Sequence, residues 1–147
     1  MPTSALEITN LLYGYGELVD AGDFEGIGRL LAHAQVSDGS GRLEIRGAEA
    51  VRRLYEATTR RYADTGTPKT KHVITNPILE IDEADGRATC RSHYTVFQQT
   101  EALPLQPIIT GRYHHVFERV DGAWRIREHR FFVDLVGDVS AHLLVEL

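Results

Sequence analysis

The spacing of apolar residues changes period once along this chain, at Pro68, and that switch constrains the fold more than any other feature. Over residues 5–21, Ile8, Leu12, Tyr15 and Val19 recur at helical spacing, with Leu11 and Leu18 beside them. Beyond Pro68 the alternation is that of strands, over 71–82, 87–99, 108–120 and 124–136. Helices first and a strand meander afterwards predict an α+β fold, with a curved antiparallel sheet wrapped around the N-terminal helices.

Local signals supply the punctuation. Gly14 and Gly16 weaken the first helix, each by up to ~1 kcal/mol against alanine. Gly22 suits the left-handed position that closes it, and Asp23 is the expected N-cap of a short second helix over 24–32. A Gly/Ser/Asp-rich turn at 37–42 precedes a short strand at 43–46, and 47–64 reads as a third helix with Val51, Leu54 and Tyr55 inward. Asp121-Gly122 is a hairpin signal between the last two strands. The tail, 138–147, reads as a last helical turn or an added edge.

With 147 residues the chain is expected to form one domain, 1–147, with a sizeable core. A formal net charge of −5 argues against nucleic acid or an acidic membrane as partner. The basic cluster Arg52, Arg53, Arg60, Arg61, Lys69 and Lys71 reads as a solvated helix face followed by a loop. The start, MPTSALEITN, has neither the basic nor the apolar region of a secretory signal, and no stretch approaches membrane-spanning length. Cys90 is alone, so no internal disulfide is expected and a cytoplasmic location fits. Mid-strand, Cys90 is also a poor nucleophile.

Two polar residues stand out in apolar segments. Asp20 is a carboxylate near the end of the first helix; His72 is an imidazole opening the first long strand. Asp20 faces the negative end of the helix dipole, an unfavourable ~0.3–1 kcal/mol when exposed, which a protonated His72 would offset. Strand alternation places His72 on one face with Ile74, Asn76 and Ile78. The plainer readings are a half-buried histidine bonded to backbone and a solvated Asp beside the true cap, Asp23. Tyr15, on the apolar stripe, either packs in the core or presents its hydroxyl to a pocket. His93, which alternates with Thr95 and Phe97, and His129 are further pocket candidates. His114 and His115, adjacent in a strand, point to opposite faces and cannot share an ion. Without HExxH, CxxC or clustered carboxylates no metal is expected. Gly14-Tyr15-Gly16 lacks the context of a dinucleotide fingerprint, and there is no P-loop, so no cofactor is expected.

The segments YGELVDAGDFEGIGRLLA, KHVITNPILEID and VFERVDGAWRIREHR, in this order, make the chain resemble the SnoaL-like family of the nuclear transport factor 2-like superfamily. The resemblance implies a cone-shaped α+β barrel with a pocket between sheet and helices. Its members include dehydratases, isomerases, hydrolases, polyketide cyclases and non-catalytic subunits. Scytalone dehydratase, bile acid 7α-dehydratase and hexachlorocyclohexane dehydrochlorinase carry an Asp where Asp20 stands and a His where His72 stands. The bile acid enzyme adds a Tyr at the place of Tyr15. The second active-site His of scytalone dehydratase falls near Phe97 or Gln98 and is not reproduced. The pocket Arg of the dehydrochlorinase falls at or beside His129.

By this resemblance the catalytic set is Asp20, His72 and Tyr15; His129, at the place of the relatives' Arg, and His93, Asn76 and Phe97, by strand alternation, are expected to touch substrate. The activity implied is a cofactor-independent dehydratase-like lyase or an isomerase, acting on an apolar cyclic molecule. The alternative is a non-catalytic ligand-binding or accessory protein, such as a dioxygenase small subunit. One face of the long strands must be covered by something other than the helices, so a homo-oligomer is expected, a dimer first and a trimer second.

Overall fold

Helix α1 (Ser4–Asp20) begins where the Thr3 hydroxyl accepts a hydrogen bond from the Leu6 amide at 3.2 Å. The structure, a computed structural model, describes residues 3–147. α1 buries the stripe Ile8, Leu12, Tyr15 and Val19. Gly16 sits on that face for want of room: a Cβ there would meet the His72 Cβ and Ile74 Cδ1 at 3.3 Å. Gly22, at φ +69°, turns the chain, and Asp23 accepts from the Gly26 amide at 2.8 Å to open α2 (Phe24–Leu30).

After α2 come β1 (Gln35–Asp38), β2 (Glu44–Arg46), α3 (Ala48–Thr58), β3 (Thr70–Asp82), β4 (Arg87–Gln98), β5 (Gln106–Val120) and β6 (Ala123–Val136). They form one six-stranded sheet in the order β2-β1-β6-β5-β4-β3. The α+β expectation holds, with the sheet curved against the helices and Val96, Ile108, Phe117 and Ile126 packed in the core they share. Asp121 and Gly122 both take positive φ, 52° and 81°, as the tight hairpin between β5 and β6 requires. Among the described residues no helix is long and apolar enough to cross a membrane.

Three features depart from the sequence reading. β1 was not expected, and it runs parallel to β6 while pairing antiparallel with β2, so the sheet is mixed. Its four residues carry too short an alternation to be read; the free edge of β6 makes them a strand. α3 stops at Thr58 because the tail takes its next backbone groups. The Leu144 amide donates to the Thr58 carbonyl at 2.9 Å, and the Arg60 amide donates to the His142 carbonyl at 2.8 Å. The tail makes the expected turn, at Val139–Leu143, but among the described residues it adds no edge to the sheet; its bridge runs from Leu143 to Thr59.

The third departure is a bulge in β3 between Thr75 and Ile78. Pro77 has no amide to give the ladder, and Asn76 takes φ +57° beside it. The extra residue reverses the side-chain alternation, so Leu79 and Ile81 pack inward while Ile78 is 51% exposed. A second irregularity, in β5 against β6, falls at Gly111. A Cβ on Gly111 would overlap the Phe132 carbonyl oxygen and lie 2.6 Å from the Tyr94 hydroxyl. The close approach lets the Tyr94 hydroxyl donate to that carbonyl at 2.8 Å.

Candidate active site

Asp20 and His72 meet where the end of α1 lies against the start of β3. The His72 ring Nδ1 lies 2.6 Å from Asp20 Oδ1, the His72 amide donates to Oδ2 at 2.7 Å, and the Thr70 hydroxyl donates to Oδ1 at 2.9 Å. Both side chains are largely buried. Burial pushes the Asp20 carboxyl up, but the hydrogen bond and charge of His72, with the Thr70 bond, outweigh it and hold the group below its ordinary value. An ionised carboxylate only accepts, so Nδ1 carries the proton and Nε2 is the lone-pair nitrogen. The dipole conflict at the end of α1 is met by three donors aimed at one carboxylate.

His72 lines a cavity of about 350 Å³, open to solvent on one side, between the sheet, α1, α3 and the tail. Asp20 does not line it and stands behind the ring. The walls are mostly apolar or aromatic: Val19 from α1, Leu54 from α3, Val96 from β4, Ile109 from β5, Phe131 from β6, and Leu143 and Val145 from the tail. Four tyrosines, Tyr15, Tyr55, Tyr94 and Tyr113, supply phenolic hydroxyls, and Thr58 and Thr59 also line it. The hydroxyls of Tyr15 and Tyr55 are hydrogen-bonded to each other. Tyr94 and Tyr113 stack with ring centroids 4.5 Å apart, and Tyr15 meets Tyr113 edge-on at 5.7 Å. Burial raises Tyr15, Tyr55 and Tyr113 well above the ordinary phenol value, and Tyr94 to about 12, so all four remain protonated. Such a cavity can seat an apolar ring, offer hydroxyl donors to an oxygen on it, and present an imidazole lone pair.

The other expected contacts do not reach this cavity. His93 and Phe97 follow the outward alternation of β4, whose inward residues are Ser92, Tyr94, Val96 and Gln98. Asn76 is exposed in the bulge, off the face of His72. His129 points inward but is sealed, at 0% exposure, beneath the rings of Tyr15 at 4.7 Å and Tyr113 at 5.3 Å. Its Nδ1 shares a 2.8 Å hydrogen bond with Nε2 of His115, itself buried. His115 and His114 do face opposite sides, His114 lying against Phe132. Burial raises the Cys90 thiol, which suits packing rather than nucleophilic attack. In the basic cluster, Arg52 pairs with Glu49 and Glu56, and Lys69 with Asp64.

Several cavity residues escaped the sequence reading, Tyr94 and Tyr113 among them. Tyr55 was recognisable only as an inward residue of the third helix, with no sign of a hydroxyl partner. His142 lies in a tail without periodicity, where no local pattern marks a pocket residue.

The SnoaL-like domain family matches residues 3–130. The chain belongs to the SnoaL-like family. A protein of unknown function from Mycobacterium tuberculosis is 25% identical, with a TM-score of 0.72, over 90% of this chain and 72% of its own. A nuclear transport factor 2-like protein with a cystatin-like fold from Novosphingobium aromaticivorans is 21% identical at TM-score 0.72, over 93% of this chain and 85% of its own. Another protein from that organism, whose assignment as a scytalone dehydratase is provisional, is 19% identical at TM-score 0.70, over 91% and 86%. At these identities the last two likenesses establish the fold alone. No curated protein matches the sequence. This SnoaL-like protein therefore has the nuclear transport factor 2-like fold, one that serves small-molecule binding and catalysis.

Proposed function

We propose that the chain is a cofactor-independent enzyme acting on an apolar cyclic ketone, a dehydratase-like lyase first and an isomerase second. The 2.6 Å contact between Asp20 and His72, at the wall of an apolar cavity, carries this reading. His72 Nε2 takes a proton from the carbon next to the carbonyl, and the released electron pair moves onto the carbonyl oxygen. Asp20 fixes the ring tautomer and stabilises the imidazolium, while the Tyr15–Tyr55 hydroxyl pair donates to the developing oxyanion. In elimination the pair then returns to expel a β-hydroxyl as water, with the proton supplied from the imidazolium.

The test uses 1-tetralone and its 3-hydroxy derivative in heavy water, followed by NMR. Deuterium entering the α carbon reports proton abstraction; conversion of the hydroxy ketone to 1-naphthol reports elimination. The protein is expected to accelerate one or both, and His72→Gln to lower the rate by about 10²-fold or more. A folded His72→Gln with the wild-type rate removes the proposal. Binding of the ketones without exchange above buffer would instead support the ligand-binding or accessory reading, which the apolar walls also suit.

We further infer a homodimer through the outer sheet face, motivated by the exposed Val73, Ile78 and Leu135. Sedimentation at micromolar concentration should give the dimer mass. A monomer mass there would dispose of this inference.

A further inference from the structure

The family match ends at residue 130, yet chain beyond it lines the cavity mouth. The Tyr62 hydroxyl and the Gln98 amide both donate to the Ala141 carbonyl, at 2.5 and 3.1 Å, and pin the tail over the cavity mouth. This tethering delivers His142, whose ring centroid stands 6.5 Å from that of His72. His142 is 6% exposed, and its Nδ1 is buried with no hydrogen-bond partner among the described residues. Every other part of the mouth that the tail supplies is apolar: Leu143, Val145 and Leu147. An imidazole is a poor choice for a plain wall in such a place, since aliphatic side chains fill its neighbours without leaving a polar atom unpaired.

We propose that His142 is a substrate-binding residue that selects ring compounds bearing an oxygen at the end nearest His72. It rests on the reading of the cavity as a substrate site, though not on any turnover there. Burial first, and then the charge of His72, lower His142 to about 4, against a smaller opposing pull from Asp20. At neutral pH the ring is therefore uncharged, with one N–H and one lone pair. It can donate to a carbonyl or phenolate oxygen, or accept from a hydroxyl, without adding a second positive charge beside the imidazolium that His72 becomes. The substrate class that follows is an apolar ring with a hydroxyl or carbonyl oxygen at the mouth. A bare hydrocarbon would leave His142 unpaired.

The test measures binding of 2-naphthol and naphthalene, which differ by the one oxygen. The wild-type protein should bind 2-naphthol about ten-fold more tightly than naphthalene, the range of one satisfied hydrogen bond. His142→Phe should abolish that preference and leave naphthalene binding within about two-fold, whereas His142→Gln, which keeps a donor and an acceptor, should retain part of it. Ring ¹⁵N resonances of wild-type His142 should move with 2-naphthol and not with naphthalene, a readout that needs no variant to fold. The proposal is overturned if His142→Phe weakens both probes equally, if it leaves the preference unchanged, or if the wild-type protein binds neither probe. Because binding alone is read, selection by oxygen can succeed even if His72 abstracts no proton, so the two proposals fail separately.

Discussion

Changing Asp20 to asparagine is expected to lower proton abstraction about 10²–10⁴-fold in a protein that still folds. The reason lies in how the carboxylate is used. Both its oxygens accept, from the His72 amide, the His72 ring and the Thr70 hydroxyl. An asparagine has one oxygen and one NH₂ for the same three neighbours. The backbone amide of His72 can only donate, so the side-chain oxygen turns to it and the NH₂ faces the ring. Nδ1 must then offer a lone pair, the proton moves to Nε2, and the nitrogen facing the cavity is no longer a base. Thr70 can rotate its hydroxyl to accept, so the loss of stability should stay near ~1–2 kcal/mol. Ring ¹⁵N shifts would show the tautomer change directly. If Asp20→Asn exchanges α-protons within about three-fold of the wild type, Asp20 has no role in orienting His72.

Acid should destabilise this protein well above the range in which carboxylates titrate. Burial lowers His129 to about 4, burial and His72 lower His142 to about 4, and burial with the charge of His129 holds His115 well below its ordinary value. In the unfolded chain each binds a proton near pH 6.5. Above that pH both states are neutral at these sites and nothing is lost. As pH falls from about 6.5 towards 4, the unfolded chain takes up protons that the folded protein refuses, and stability declines. His129 alone contributes roughly 3 kcal/mol across that window, and His142 a similar amount, against a typical total of 5–15 kcal/mol. Asp20, also lowered, adds its loss only below about pH 4, where its unfolded counterpart protonates. Urea unfolding at pH 7.5 and pH 4.5 should differ by at least ~3 kcal/mol, and His142→Gln should flatten the dependence by about one proton. Equal stability at the two pH values would mean that these imidazoles are not held neutral in the fold.

Much of the scaffold can be read locally because its causes are local. Gly22 and Asp23 end one helix and start the next through their own backbone and side chain. Asp121-Gly122 makes its hairpin because both residues accept positive φ. The long strands show themselves by an alternation that extends over many residues. The positions of Asp20 and His72 were legible too, since a helix end and a strand start were both marked, and a resemblance joined them.

The lining of the cavity was not legible, for reasons that are equally physical. One extra residue at Asn76–Pro77 reverses which side chains of β3 face inward, and period-2 reasoning carries no warning of it. Inward direction also does not mean access: His129 points to the interior but is covered by Tyr15 and Tyr113, residues more than a dozen positions away. β1 exists because β6 offers an edge, and His142 reaches the cavity because Tyr62 and Gln98 hold the tail there. The sequence by itself determined the order of the helices and long strands and their turns, all set by neighbours in the chain. It marked the carboxylate–imidazole pair one residue at a time, and the resemblance joined them. Only the tertiary structure decided which hydroxyls and which second imidazole share the cavity with that pair, because those contacts join residues that no local periodicity connects.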